Sequence, residues 1–158
     1  MSREFHILWA GRHQRGPWQA LCEDYRKRIA RHVPVHDRPV KVKLSGDDEN
    51  RRSAEGEKLL ATAPDPSWII SLDSRGRSRS SEKLAKMMTR IRHDWPHPVT
   101  FLIGSDLGLA PEVLEASREV ISFGPMTLGH ELARLVLYEQ IYRALSIQLG
   151  INYHRRQL

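Results

Sequence analysis

The chain has 158 residues, 25 Lys and Arg against 19 Asp and Glu, and a formal net charge of +6. That length suits one domain (1–158) able to bury a core without staples, and the positive balance favours a polyanionic partner such as nucleic acid. A single cysteine, Cys22, rules out a disulfide framework and a cysteine-based zinc site. No stretch approaches the ~20 apolar residues of a membrane span, and the opening MSREFHILWAGRHQ has no signal-peptide core, so a soluble cytoplasmic protein is expected.

Glu4–Ala10 reads as a buried first strand ending at Gly11, followed by a basic loop over Arg12–Gly16. Pro17 suits the first turn of a helix, and Trp18–His32 repeats apolar residues on a helical period at Trp18, Leu21, Cys22, Tyr25 and Ile29. Val40–Leu44 alternates Val and Lys as an edge strand, with lysines that discourage edge pairing. Polar Ser45–Asn50 leads into a charged helix from Arg51 to Ala63. Trp68–Leu72 is a continuous apolar strand of the type buried on both faces. Ser74–Ser81 (SRGRSRSS) is expected to be a flexible basic loop, its serines capping a helix over Glu82–His93.

Val99–Ile103 is the next buried strand; it stops at Gly104, and its loop closes at Gly108 before Pro111-Glu112 opens a helix. Val120–Phe123 forms a last short strand and runs through Gly124 to Gly129 into a long helix, Glu131–Leu149, which Gly150 ends in a left-handed conformation. Strands and helices alternate, so the fold is α/β with a mostly parallel sheet and helices on both faces. Two strand ends deliver glycine loops, and ligands of open α/β sheets sit outside the carboxyl ends of strands. A small-molecule pocket is expected there.

No P-loop, no dinucleotide-binding glycine turn and no nucleophile elbow occurs. His93 and His97 are four apart, but Pro96 breaks the helix that would align them, so no metal site is read. The long helix is apolar on more than one face, with Leu132, Leu135, Val136, Leu137, Ile141, Leu145, Ile147 and Leu149. Packing it on the sheet and against a twofold mate would satisfy both faces, which predicts a homodimer.

Four stretches taken together are more specific than any of them: ISLD at 70–73, FLIGSDLGL at 101–109, ISFGPMTLGHELARLVLYEQIYRALSI at 121–147 and NYHR at 152–155. In combination they resemble the RlmH family, small single-domain SPOUT (α/β-knot) enzymes that methylate N3 of a pseudouridine in 23S, large-subunit, ribosomal RNA. The resemblance implies a trefoil knot within about 68–158, S-adenosylmethionine as cofactor, and action on the assembled ribosome. Carried across position by position, it assigns cofactor contacts to Leu72, Gly104 and the loop Phe123, Gly124, Pro125, Met126, Thr127 and Leu128. Methylation of another RNA such as tRNA, and a non-catalytic ribosome-binding role, stay open as alternatives.

The cofactor of such an enzyme already carries the activated carbon, so the protein must align the acceptor nitrogen and help remove its proton. His130 and His154 are both candidates for that base, since imidazole exchanges protons near neutrality. Arg134, one turn beyond His130, could meet a phosphate or the anionic base. Tyr153, His154 and Arg155 combine a stacking ring, a proton acceptor and a phosphate contact. The resemblance implies that this tail completes the partner subunit's site. Basic stretches at Arg12–Arg15, Arg26–Arg31 and Arg75–Arg79 would draw RNA phosphates.

Overall fold

Alternation of strand and helix runs from end to end of the computed structural model, which describes residues 3–12, 15–43 and 46–154. The elements are β1 (Phe5–Ala10), α1 (Pro17–Ala30), β2 (Val35–Val40), α2 (Asp48–Thr62), β3 (Trp68–Ser78), α3 (Ser81–Asp94), β4 (Val99–Ile103), α4 (Pro111–Ala116), β5 (Glu119–Ser122) and α5 (His130–Leu149). All four pairings in the five-stranded sheet are parallel, in the order β2-β1-β4-β3-β5. Every crossover must therefore traverse a face, and the helices cover both.

On one face the inward side chains of the central strands, among them Phe5, Ile7, Ile70 and Phe101, pack with residues of α1, α3 and α5 such as Ile29, Met88, Tyr138 and Ile141. On the other, Leu8, Val40 and Leu102 meet Leu59 of α2 and Val113 of α4. Gly56 fits α2 closely against α4, since a Cβ there would lie 2.7 Å from Val113. β4 is buried along its whole length, as its unbroken apolar run requires between two covered faces. Cys22 is buried, and burial pushes its thiol up to about 11, consistent with a small core hydrophobe.

Three segments depart from the reading of the sequence. The second strand is Val35–Val40, whereas Lys41–Lys43 of the expected Val40–Leu44 form none and Leu44 lies outside the described residues. The strand contains Pro39, which is tolerated because β2 is the outermost strand and pairs on one side only. α2 begins at Asp48, earlier than Arg51, because Asp47 caps it by accepting from the Asn50 amide at 2.8 Å. The basic stretch after Asp73 is not a free loop: β3 continues to Ser78 and meets β5 a second time, Ile121 pairing with both Leu72 and Arg77. Gly76 makes this approach possible, as a Cβ there would stand 2.6 Å from the Val120 backbone. Ser80 caps α3 through the Lys83 amide at 3.2 Å, and Gly150 ends α5 at φ 69°.

Candidate active site

The carboxyl ends of β3, β4 and β5 open into a cavity of about 410 Å³, within the range of small-molecule sites. Leu72 and Asp73 enter it from β3, Ile103 and Gly104 from β4, and Ile121 and Ser122 from β5. Two loops close the sides, one through Ser105, Asp106 and Gly108, the other through Phe123, Gly124, Met126, Thr127 and Leu128. His130, the first residue of α5, stands exposed on its rim.

The walls are set by close packing from behind. A Cβ on Gly104 would lie 2.9 Å from the Gly108 carbonyl carbon and oxygen, so the loop can fold back onto the strand end only at a glycine. Buried Glu55 of α2 holds the same loop: its carboxylate accepts from the Ser105 amide at 3.0 Å and the Ser105 hydroxyl at 2.9 Å. Arg52 donates to the Leu107 carbonyl at 2.8 Å. The second loop turns on Gly124, at φ 113°, and on Ser122, whose hydroxyl accepts from the Gly124 amide at 3.1 Å.

The lining is largely apolar, with Leu72, Ile103, Leu109, Ile121, Phe123 and Leu128, but it carries the carboxylates of Asp73 and Asp106. Arg75 binds Asp73 with its guanidinium at 2.7 Å and its amide at 2.9 Å, and also donates to the Leu109 carbonyl at 2.9 Å. The Arg75 hydrogen bond holds the Asp73 carboxyl below its ordinary range, against the opposing effect of burial. An apolar slot with two carboxylates and close-approaching backbone suits a flat ring joined to a cationic group.

Of the residues singled out in the sequence, Leu72, Gly104, Phe123, Gly124, Met126, Thr127, Leu128 and His130 line this cavity together. Pro125 belongs to the same loop, but its side chain is not on the lining. Asp73, Ser105, Asp106 and the supporting Glu55 were missed as site residues. Asp73 lies within ISLD and Asp106 within FLIGSDLGL, whereas nothing local in α2 marks Glu55 as reaching a loop fifty residues later.

Arg134, expected to contact a phosphate or the anionic base, lines a second, smaller hollow with His130 and Gly104 and is held by partners within the fold. Its side chain is 7% exposed and pairs with Asp37 of β2 at 2.8 Å. It donates to Gln19 at 3.2 Å and lies over the Trp9 ring at 4.2 Å from the centroid. Trp9 Nε1 donates to the other Asp37 oxygen at 2.8 Å, and the Tyr138 hydroxyl donates to Asp37 as well. Burial, with the Asp37 charge beside it, pushes the Tyr138 phenol upward. The physical reason is helix geometry: one turn beyond the exposed His130, α5 meets Trp9 of β1, Asp37 of β2 and Gln19 of α1.

Tyr153 and His154 lie away from the cavity of their own chain. The Tyr153 hydroxyl is 3.0 Å from that of Tyr25, and its ring packs on Tyr142 with centroids 4.7 Å apart. Burial pushes its phenol upward. His154 Nε2 is 3.2 Å from Glu82, and its carbonyl accepts from Arg143 at 3.4 Å. Arg143 also pairs with Glu139 at 2.7 Å. These contacts centre nine or more residues along α5 from His130, about 13 Å at the helical rise. Arg155 is outside the described residues.

A family model described as "Predicted SPOUT methyltransferase" matches residues 4–154. A protein of Syntrophotalea carbinolica named ribosomal RNA large subunit methyltransferase H is 39% identical, covering 95% of this chain and 97% of its own length. Its namesake in Limosilactobacillus fermentum is 38% identical over 94% and 98%, and that of Listeria monocytogenes 37% over 87% and 89%. Among solved structures, a probable methylase family protein of Haemophilus influenzae covers 96% of this chain and 68% of its own, with a TM-score of 0.53 and 14% identity, a likeness of fold. With the family model spanning residues 4–154 and relatives 38–39% identical over nearly the whole chain, the chain belongs to the SPOUT methyltransferases, in the group named ribosomal RNA large subunit methyltransferase H.

Proposed function

We propose that this chain methylates N3 of a pseudouridine in large-subunit ribosomal RNA, using S-adenosylmethionine and acting on the assembled ribosome as a homodimer. The observation that carries the reading is the cavity at the ends of β3, β4 and β5 with His130 on its rim, in a chain matching the SPOUT methyltransferases over residues 4–154. Bound S-adenosylmethionine supplies an activated methyl carbon. The backbone of the Gly104 and Phe123–Leu128 loops would hold its adenine and ribose, Leu72 and Leu128 would cover the ring, and Asp73 and Asp106 would face its positive charge.

His130 is assigned the acceptor of the N3 proton, because it is the imidazole at the cavity mouth. Arg134 is assigned a positioning role, tying the first turns of α5 to β2 through Asp37. Tyr153, His154 and Arg155 are assigned to the mate's cavity, since Tyr153 and His154 do not reach their own. Trp18, Leu21, Met126 and Leu132 stay exposed although large and apolar. Trp18 and Met126 each share a hollow with His130, so a second subunit at the mouth would cover them. A trefoil thread is part of the reading, as membership of the SPOUT methyltransferases implies.

A basic groove of about 320 Å³ beside α3 supports the RNA assignment. Arg77, Lys83, Lys86 and Arg90 line it, while Arg79 pairs with Glu119 at 2.6 Å. RNA affinity should fall steeply with salt, and Lys83→Glu with Lys86→Glu should flatten that slope.

The deciding experiment measures labelled methyl transfer to ribosomes from cells lacking their own enzyme. Wild type should label the large-subunit RNA, and His130→Ala should lose about 10²–10⁴ in rate. Mixing His130→Ala with His154→Ala should restore part of the activity in heterodimers. Absence of transfer, or a His130→Ala variant as fast as wild type, would remove the reading.

A further inference from the structure

At the amino end of the sheet, opposite the cavity, three side chains able to ligate a metal converge. Glu4 immediately precedes β1 and His6 follows two residues later, so both leave the same face of the strand. β1 and β2 pair in parallel with His6 opposite His36, which sets the second imidazole beside the first on that face. The two rings stack with centroids 4.7 Å apart and planes 25° from parallel. Both Nε2 atoms turn to one carboxylate, His6 at 2.9 Å from Oε1 and His36 at 3.1 Å from Oε2. The three donor atoms lie within 4.8 Å of one another, and among the described residues no other three His, Cys, Asp or Glu side chains converge in this way.

We propose that Glu4, His6 and His36 form a binding site for a divalent zinc-class metal that ties β1 to the edge strand β2. Two imidazoles and a carboxylate are a donor set that zinc accepts, with water in the fourth position. Bond lengths of about 2.0–2.2 Å to tetrahedral zinc place the donors roughly 3.3–3.5 Å apart, so side-chain rotation alone can open the present spacing around an ion. The backbone is already fixed: the Glu4 carbonyl accepts from the Val99 amide at 3.0 Å, and His6 lies within the sheet. Side-chain exposure rises from 13% at His6 through 26% at Glu4 to 52% at His36, leaving the site one open side for the ion and its water. A strand pair presenting ligands at i, i+2 and the facing neighbour is invisible to a search for cysteine pairs or for histidines on helical spacing.

The test uses the full-length chain without an affinity tag, stripped with chelator and titrated with cobalt(II), then with zinc. One equivalent of cobalt should give the visible absorption of a four-coordinate ion, zinc should displace it, and the melting temperature should rise with zinc. His36→Gln, altering the most exposed ligand, should keep the fold by circular dichroism and weaken uptake at least about tenfold. His93→Gln, at an exposed histidine elsewhere, should bind as wild type does. Absorption of hexa-aqua cobalt only, or equal affinity in His36→Gln and wild type, would overturn the site and leave a hydrogen-bonded cluster. None of these readouts depends on methyl transfer, so the outcome is independent of the proposed activity.

Discussion

Asp37 and Asp73 look alike by number: each side chain is 7% exposed and each is held by an arginine within 3 Å. Their surroundings separate them. Arg134, the partner of Asp37, is itself 7% exposed, and Trp9 and Tyr138 use the remaining capacity of the carboxylate. Arg75, the partner of Asp73, is 57% exposed, and the same carboxylate borders the cavity. The first is a fastener between α5 and the edge of the sheet, because neither charge can regain water without unfolding. The second sits at the edge of the cavity, where its cation is open to solvent. Glu55 is the more deeply buried acid and is spent on a loop of the cavity.

The largest effect should come from breaking the fastener. Asp37→Ala leaves Arg134 buried without its counter-charge and should lower unfolding free energy by about 3–5 kcal/mol in denaturant titrations. A loss below about 1 kcal/mol would place Asp37 with Asp73 instead. Glu55→Ala strands the Ser105 amide and hydroxyl; about 1–3 kcal/mol should be lost, together with affinity for S-adenosylmethionine by calorimetry. Gly104→Ala forces a Cβ against Gly108 and should cost about 1–3 kcal/mol, read chiefly as weaker cofactor binding. If both variants bind normally, the 104–108 loop is not the wall described.

Arg75→Gln should have the smallest effect, and it is pH-dependent. Arg75 depresses the Asp73 carboxyl in the folded state, so its stabilisation is complete above the ordinary value of 3.8 and is lost as pH falls through the folded value. Wild type should exceed the variant by under about 1 kcal/mol at neutral pH, given the exposed guanidinium. That difference should close on acidification. A difference that widened in acid would contradict the pairing.

Much of this was legible along the chain because it depends on neighbours in sequence. Phe101–Ile103 announces a strand buried on both faces, Gly150 a left-handed helix end, and Ser80 a cap, each through local backbone chemistry. β2 was displaced because its segment VHDRPV has neither an apolar run nor alternation; it is a strand because β1 offers it an edge. Residues 74–78 looked like a loop because they are polar, and they extend because β5 lies beside them. His130 and Arg134 share a helix face on spacing alone, yet only the first remains outside the packing.

Local order along the chain is enough for the alternation of elements, the glycine turns after β4 and β5, and the motif combination that marks the family, since these rest on dihedral preference and short-range pattern. Tertiary structure alone decided which polar groups are available. Asp37 is more than ninety residues from Arg134 and Tyr138 and is committed to them only when the side chains of α5 reach β2. Glu55 and Ser105, and likewise His6 and His36, meet through strand order and helix placement. Desolvation and register are properties of the folded neighbourhood, so no window along the chain contains them.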